Sequence, residues 1–467
     1  MTLLIQLAAI VGAGNVLSQP ADLAPYLEEE RGLFHGAARA VVRPGSTAEV
    51  AAVVKLCAQT GIAMVPQGGN TGLCGGGVPW EDGNSLVIST ERLNRIRKLD
   101  PVDYTMIVEA GCVLASLQAA AEEVGCLFPL SLAAEGSCRI GGNISTNAGG
   151  TNVLRYGNTR DLVLGLEVVL PDGQVWNGLK ALRKDNTGYA LNHLFIGAEG
   201  TLGIVTAAVV KLFPALAERQ TALVGFQDLD AALVLLARAR RASGDAVTAC
   251  ELIPRIGMEL CLKHIPGARD PMDAPHPWYL LLELSSSRPG GLREALETML
   301  GGALEEGLAD DVVLAESGEQ RRALWHLRES IPEAQKREGG SIKHDVAVAT
   351  SRVPEMIRRC TGAVEAALPG VRVVAFGHLG DGNTHFNLTQ PVGADKQAYL
   401  EHWGEMNRIV HDIVVEMEGS ISAEHGIGRL KVEELAHYKP KLDLDLMRRV
   451  KAALDPRGLM NPGKVVV

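Results

Sequence analysis

At 467 residues the chain is longer than one hydrophobic core usually serves, so it reads as about two or three domains. Its 46% hydrophobic and 21% charged residues argue against a disordered chain, and a net charge of −10 without a long basic run argues against nucleic acid as a partner. The eight cysteines contain no C-x-x-C pair and sit mostly in apolar stretches, which fits reduced, buried thiols in a cytoplasmic protein.

Residues 1–21 carry no charge, and Leu3, Leu4, Leu7, Ile10 and Val11 recur at helical spacing. With no leading basic residues, they predict an N-terminal helix rather than a signal peptide. No later apolar run is long enough to cross a bilayer. Ala40-Val41-Val42 predicts a short strand. Ser46 and Glu49 form a capping box that opens a helix from Thr47 to about Gln59. A strand over 62–65 would complete a βαβ unit with a parallel pair. It runs into Pro66-Gln67-Gly68-Gly69-Asn70-Thr71-Gly72-Leu73 and then Gly75-Gly76-Gly77. Such a loop exposes backbone N–H groups with no side chains in the way, an arrangement that suits a pyrophosphate. It is neither a Walker A sequence nor G-x-G-x-x-G, so on its own it reads equally well as a glycine-rich surface turn.

Strands are predicted at 85–89 and 105–110, with a helix over 113–124. A second glycine-rich block runs from Glu135 to Gly150, and its small residues would let a flat ring lie against the main chain. Residues 162–170 and 174–176, around Asp172-Gly173, predict a hairpin. A strand then starts near Ile204 and ends near Pro214. Beyond Pro214, apolar runs at 222–226, 247–253, 278–284 and 311–315 alternate with helical stretches, predicting an α+β domain with an antiparallel sheet. One helix is predicted over 320–336, a strand over 342–349, and helices over 396–418 and 443–454.

The chemistry concentrates near the C-terminus. A buried strand over 371–376 leads into Gly377-His378-Leu379-Gly380-Asp381-Gly382-Asn383-Thr384-His385, so a tight bend should bring two imidazoles together. Glu424-His425 follows between Ile421 and Gly428. His378, His385 and Glu424 make a three-ligand set of the kind zinc uses when it keeps a position open for substrate. The competing account is two hairpin histidines and an unrelated acidic pair. The flanking turns and the second Glu-His element favour a metal.

These blocks together resemble, over nearly the whole length, the FAD-linked oxidases of the vanillyl-alcohol oxidase type. Within them the chain looks most like the D-2-hydroxyglutarate, D-lactate and glycolate-oxidising dehydrogenases. The matching pieces are 66–72, 141–150, Glu199-Gly200-Thr201-Leu202-Gly203-Ile204, 377–385, Glu424-His425-Gly426 and Asn461-Pro462-Gly463-Lys464, in this order. The resemblance implies a two-part FAD-binding domain over 1–215, to which 456–467 return, and an α+β cap over 216–455 that binds substrate and metal. It assigns FAD contacts to Pro66 through Leu73, Gly136, Ser137, Gly141, Gly142, Asn143, Ser145, Thr146, Ala148, Gly149, Glu199, Gly200, Gly203, Ile204 and Asn461. Many relatives hold FAD covalently through a histidine in the first glycine loop. None occurs between Pro66 and Pro79, so a dissociable FAD is expected, with Cys74 a less favoured thioether site.

By the same resemblance His425 is the catalytic base and also touches substrate, while Arg328, Lys343 and Asn387 bind the substrate. Pro332 stands where the hydroxyglutarate enzymes have a threonine. The implied reaction is oxidation of a small D-2-hydroxy acid, best D-2-hydroxyglutarate and also D-malate or D-lactate, to the 2-oxo acid. Electrons would leave to an electron-transfer flavoprotein, a quinone or a cytochrome, and a homodimer is left open. The alternatives are a D-lactate dehydrogenase or glycolate oxidase subunit, an oxygen-using oxidase of sugars or alcohols, and a non-catalytic flavin- or zinc-bearing subunit.

Overall fold

The computed structural model describes residues 2–466, which divide into two compact units. The first comprises residues 1–150, 157–215 and 424–467, and the second 151–156 and 216–423. The division near 215 falls where the composition changes. The return to the first unit comes at Glu424, earlier than the expected 456, so Glu424 and His425 belong to the first unit and not to the cap.

In the first unit a four-stranded sheet has the order Val16–Leu17, Ala38–Val42, Ser85–Ser89, Met64–Gln67. The strands at 38–42 and 64–67 do not pair with each other, as a simple βαβ reading requires. Each pairs in parallel with Ser85–Ser89, which lies between them. All five residues of that middle strand are buried, the expected pattern when both faces are covered. The helix Thr47–Thr60 starts at Ser46, whose hydroxyl accepts from Glu49 N. The Glu49 carboxylate reaches back to Gly45 N at 2.7 Å, one residue short of the ordinary box. Val50, Val53, Val54 and Cys57 on this helix pack with Leu7, Val42, Met64 and Ile88. A second sheet is wholly antiparallel: Ile96–Asp100, Thr105–Glu109, Ile204–Lys211, Val163–Val169, Val175–Asn177.

The second unit is built on a seven-stranded antiparallel sheet. Its order is Asp311–Leu314, Glu218–Phe226, Trp278–Ser286, Val247–Pro254, Arg372–His378, Asn383–Thr389, Ser341–Ala347. Alternate residues serve opposite faces. Leu252, Ala375, Phe386 and Leu388 pack with the helices Ala231–Ala242, Val353–Ala367 and Trp403–Glu416. Ile253, Val374 and Phe376 pack on the other side with Arg255–His264, Gly318–Glu329 and Ile331–Lys336. The single helix expected over 320–336 is therefore two, interrupted at Ser330. Pro332 sits in the first turn of the second helix, where its missing N–H costs nothing. The stretch 396–418 likewise divides into Lys396–Leu400 and Trp403–Glu416.

Candidate active site

Within the first unit the two glycine blocks come together. A Cβ on Gly69 would lie 2.4 Å from Ser137 O, so the first loop packs against the second block only because it lacks side chains there. Between the blocks runs a groove lined by residues 66–72, 74–77, 141–143 and 199–200, with His425 on its wall. Gly72 and Gly142 both line this groove, and a Cβ on either would meet nothing within 4 Å. The groove is thus a cradle kept wide by missing side chains, which fits a flat dinucleotide cofactor. Leu73, Gly136, Ser137, Ala148, Gly149 and Asn461 were expected at the cofactor but do not line it.

Asn461 and its neighbours in the tail hold the walls instead. Asn461 Nδ2 donates to Gly76 O at 3.0 Å and to Glu199 O at 2.8 Å, joining the first loop to the 199–203 turn. At the next residue, Pro462 O accepts from Trp80 Nε1 at 2.9 Å. Lys464 is 1% exposed, and its Nζ donates to the carbonyls of Gly75, Gly76 and Val78. In a planar trans peptide the C=O and the following N–H point in opposite directions. Holding the Gly75 and Gly76 carbonyls therefore turns the N–H groups of Gly76 and Gly77 away from the lysine. Burial, then the neighbouring Arg429, pushes Lys464 down to about 7, so an anion nearby would favour its charged form. Lys464→Met removes the one charged donor shared by the Gly75, Gly76 and Val78 carbonyls, leaving Gly76 O to Asn461 Nδ2. It should weaken FAD binding by roughly tenfold or more, since a hydrogen bond to a charged group is worth about 1.5–3 kcal/mol. Fluorescence titration of the apoprotein with FAD checks this, and an unchanged Kd would refute it.

Glu199 adopts φ +49°, an uncommon backbone region for a residue other than glycine. Its carboxylate accepts from Ile427 N at 2.7 Å and Gly428 N at 2.8 Å. Burial pushes its pKa up, against the pull of those two bonds. Although it lines the groove, Glu199 is a clamp on the turn that carries His425. Glu424 is also fixed from behind, because its Oε1 accepts from Gly150 N at 2.7 Å. A Cβ on Gly149 would lie 2.7 Å from that same oxygen. So Gly149 makes room for Glu424.

In the second unit the expected residues share one face of the sheet. Lys343 is opposite Asn387 and Asp345 is opposite His385. His385 is also opposite Phe376. The 3₁₀ turn Leu379–Asp381 closes the hairpin and leaves the rings of His378 and His385 with centroids 5.6 Å apart, nearly perpendicular. Asp345 Oδ1 lies 3.8 Å from His385 Nδ1. On the next strand Glu251, wholly buried, stands opposite His378. Its Oε1 is 2.7 Å from His378 Nδ1, and its Oε2 accepts from Arg328 Nε at 2.9 Å and is 2.7 Å from Arg328 Nη2. Burial alone would raise the Glu251 pKa, but His378 and Arg328 outweigh it and hold it at about 2.

Arg328, expected to present its fork to substrate, therefore spends two of its three nitrogens on Glu251. Asn387, likewise expected at the substrate, donates to Gln335 Oε1 at 2.9 Å. Glu251 and Gln335 escaped the sequence reading, and Lys464 entered it only as part of the 461–464 motif, with no role. Each sits in a run whose pattern reports only a strand, a helix or a tail.

A groove of glycine main chain with an imidazole on its wall defines a protein that works on or with a bound dinucleotide. The family model described as "FAD linked oxidases, C-terminal domain" matches residues 216–465, and that described as "FAD binding domain" matches residues 38–178. The chain belongs to the FAD-linked oxidases. The D-2-hydroxyglutarate dehydrogenase, mitochondrial, of Bos taurus is 39% identical, covering 97% of this chain and 81% of its own. The D-2-hydroxyglutarate dehydrogenase of a Xanthomonas citri strain is 37% identical, covering 99% and 96%. The D-2-hydroxyglutarate–pyruvate transhydrogenase of Saccharomyces cerevisiae is 33% identical, covering 96% and 90%. Among solved structures, p-cresol methylhydroxylase has a TM-score of 0.76 over 99% of this chain and 96% of its own, at 17% identity. That likeness shows the vanillyl-alcohol oxidase type of fold.

The cytoplasmic expectation does not stand, because the relatives from Arabidopsis thaliana, Bos taurus and Oryza sativa are named mitochondrial. All eight cysteines are indeed free and buried. That burial reports packing, which does not distinguish one compartment from another.

Proposed function

We propose that the protein oxidises D-2-hydroxyglutarate to its 2-oxo acid with dissociable FAD and a divalent metal, zinc by donor type, and passes the electrons to an external acceptor. The observation that carries this reading is the single sheet face that holds His378, His385, Lys343 and Asn387, with Glu251 behind His378. A carboxylate holding the far nitrogen of an imidazole is the usual support of a metal-bound histidine, and that donor set fits zinc. The ligands would be His378, His385 and Glu424. When bound, the flavin accepts hydride and the metal polarises the substrate hydroxyl.

This chain's own residues do the rest. His425 takes the hydroxyl proton at a ring nitrogen, and the Glu199 clamp on residues 427–428 holds its backbone for that task. Lys343, with the Arg328 nitrogen that Glu251 does not engage, binds carboxylate. Acid precipitation should release the flavin into the supernatant, because no histidine occurs between Pro66 and Pro79. Flavin left on the denatured chain would refute dissociable binding.

A second reading, a shorter acid such as D-lactate, has a specific basis. Pro332 offers no hydroxyl and the Asn387 amide is already engaged by Gln335, so the far carboxylate has fewer donors. A panel of D- and L-2-hydroxy acids with a dye acceptor separates the two. D-2-hydroxyglutarate should exceed D-lactate in kcat/KM by roughly ten- to hundredfold, the worth of about one or two charged hydrogen bonds. Equal values would favour the shorter acid.

A further inference from the structure

We infer that Glu251 is the positioning residue that makes His378 a metal ligand and, with the same carboxylate, aims Arg328. The inference rests on the metal reading above and adds the residue on which that reading depends. Glu251 lies in Val247–Pro254, a strand whose eight residues are all buried. A charge in that place is costly unless it is paired. Here each oxygen has its own partner, Oε1 with His378 Nδ1 and Oε2 with Arg328.

An ionised carboxylate only accepts hydrogen bonds. His378 must therefore carry a proton on Nδ1, which in the neutral ring leaves the lone pair on Nε2. That is the tautomer a metal needs. Arg328 also only donates, so it keeps Glu251 in its acceptor form and is itself steered by the bond. Arg328 is further seated over the Phe376 ring, 4.8 Å from its centroid. One side chain thus sets both the ligand tautomer and the direction of the arginine.

Glu251→Gln tests this without changing shape. Because Arg328 can only donate, the amide oxygen must turn to it and the NH2 to His378. Nδ1 would then have to accept, and the proton would move to Nε2, where it blocks the metal. In the full-length FAD-loaded protein, Zn2+ affinity measured by chelator competition should fall roughly 10- to 100-fold, while FAD content and Tm stay near those of the parent. Arg328→Lys should leave Zn2+ affinity unchanged and raise KM, whereas a merely structural pair would lower metal affinity in both variants.

Parental Zn2+ affinity in Glu251→Gln would overturn the proposal and leave the metal reading intact. A parent protein that binds no Zn2+ would instead overturn the metal reading. If Glu251→Gln does not fold, histidine-labelled metal-free parent protein decides by nitrogen NMR, with His378 assigned by difference against His378→Gln. A protonated Nδ1 supports the inference, and a ring protonated at Nε2 alone overturns it.

Discussion

His425→Ala is expected to lower kcat for D-2-hydroxyglutarate by about 10²–10⁴-fold, the usual cost of losing a general base, while FAD and metal stay bound. The imidazole lies on the wall of the groove that the two glycine blocks form. Its backbone is held independently, since Glu199 takes the N–H groups of Ile427 and Gly428. Truncating the ring therefore removes proton transfer without loosening the turn. Flavin absorbance, zinc content and kcat/KM should be measured on one preparation. Loss of metal together with activity would make His425 a ligand and not the base.

Glu424→Gln is expected to release the metal and abolish turnover. The loss in metal affinity should exceed the roughly 10–100-fold cost of removing a partner that merely supports a ligand. The glutamine keeps an oxygen for Gly150 N, the bond now accepted by Glu424 Oε1, so folding should survive. What changes is the donor, from a charged carboxylate to a weak neutral amide, with two imidazoles left to hold the ion. FAD content should not change, because the groove walls do not depend on the Glu424 charge. Full zinc content in Glu424→Gln would remove Glu424 from the ligand set.

Local chemistry made much of this legible. The strands at 85–89, 105–109 and 204–211 and the hairpin carrying His378 and His385 follow from apolar runs bounded by turn formers. The cofactor groove follows from two glycine blocks that no ordinary surface needs. What stayed hidden depends on which strands become neighbours. Glu251 looks like one polar residue in an apolar run. Its meaning appears only when Val247–Pro254 lies beside Arg372–His378, 127 residues away along the chain from Glu251 to His378. The order of the first sheet is hidden in the same way, because nothing local tells Ser85–Ser89 to enter between the two earlier strands. Gly149 and Glu199 were assigned to the cofactor by their motifs. Their geometry also serves the turn after His425 and Glu424, and Glu199 lines the groove as well, a double role that only backbone placement can show. The helix break before Pro332 was legible, since a proline inside a helical stretch ends the helix just before it, but the expected helix over 320–336 ran through it.

The most direct test of the metal-assisted flavin mechanism is turnover of D-2-hydroxyglutarate with a dye acceptor. It should be measured on the protein as purified, after chelation, and after Zn2+ is restored. Chelation should abolish turnover without releasing FAD, and Zn2+ should recover it. Full activity in the chelated, metal-free protein would contradict the account.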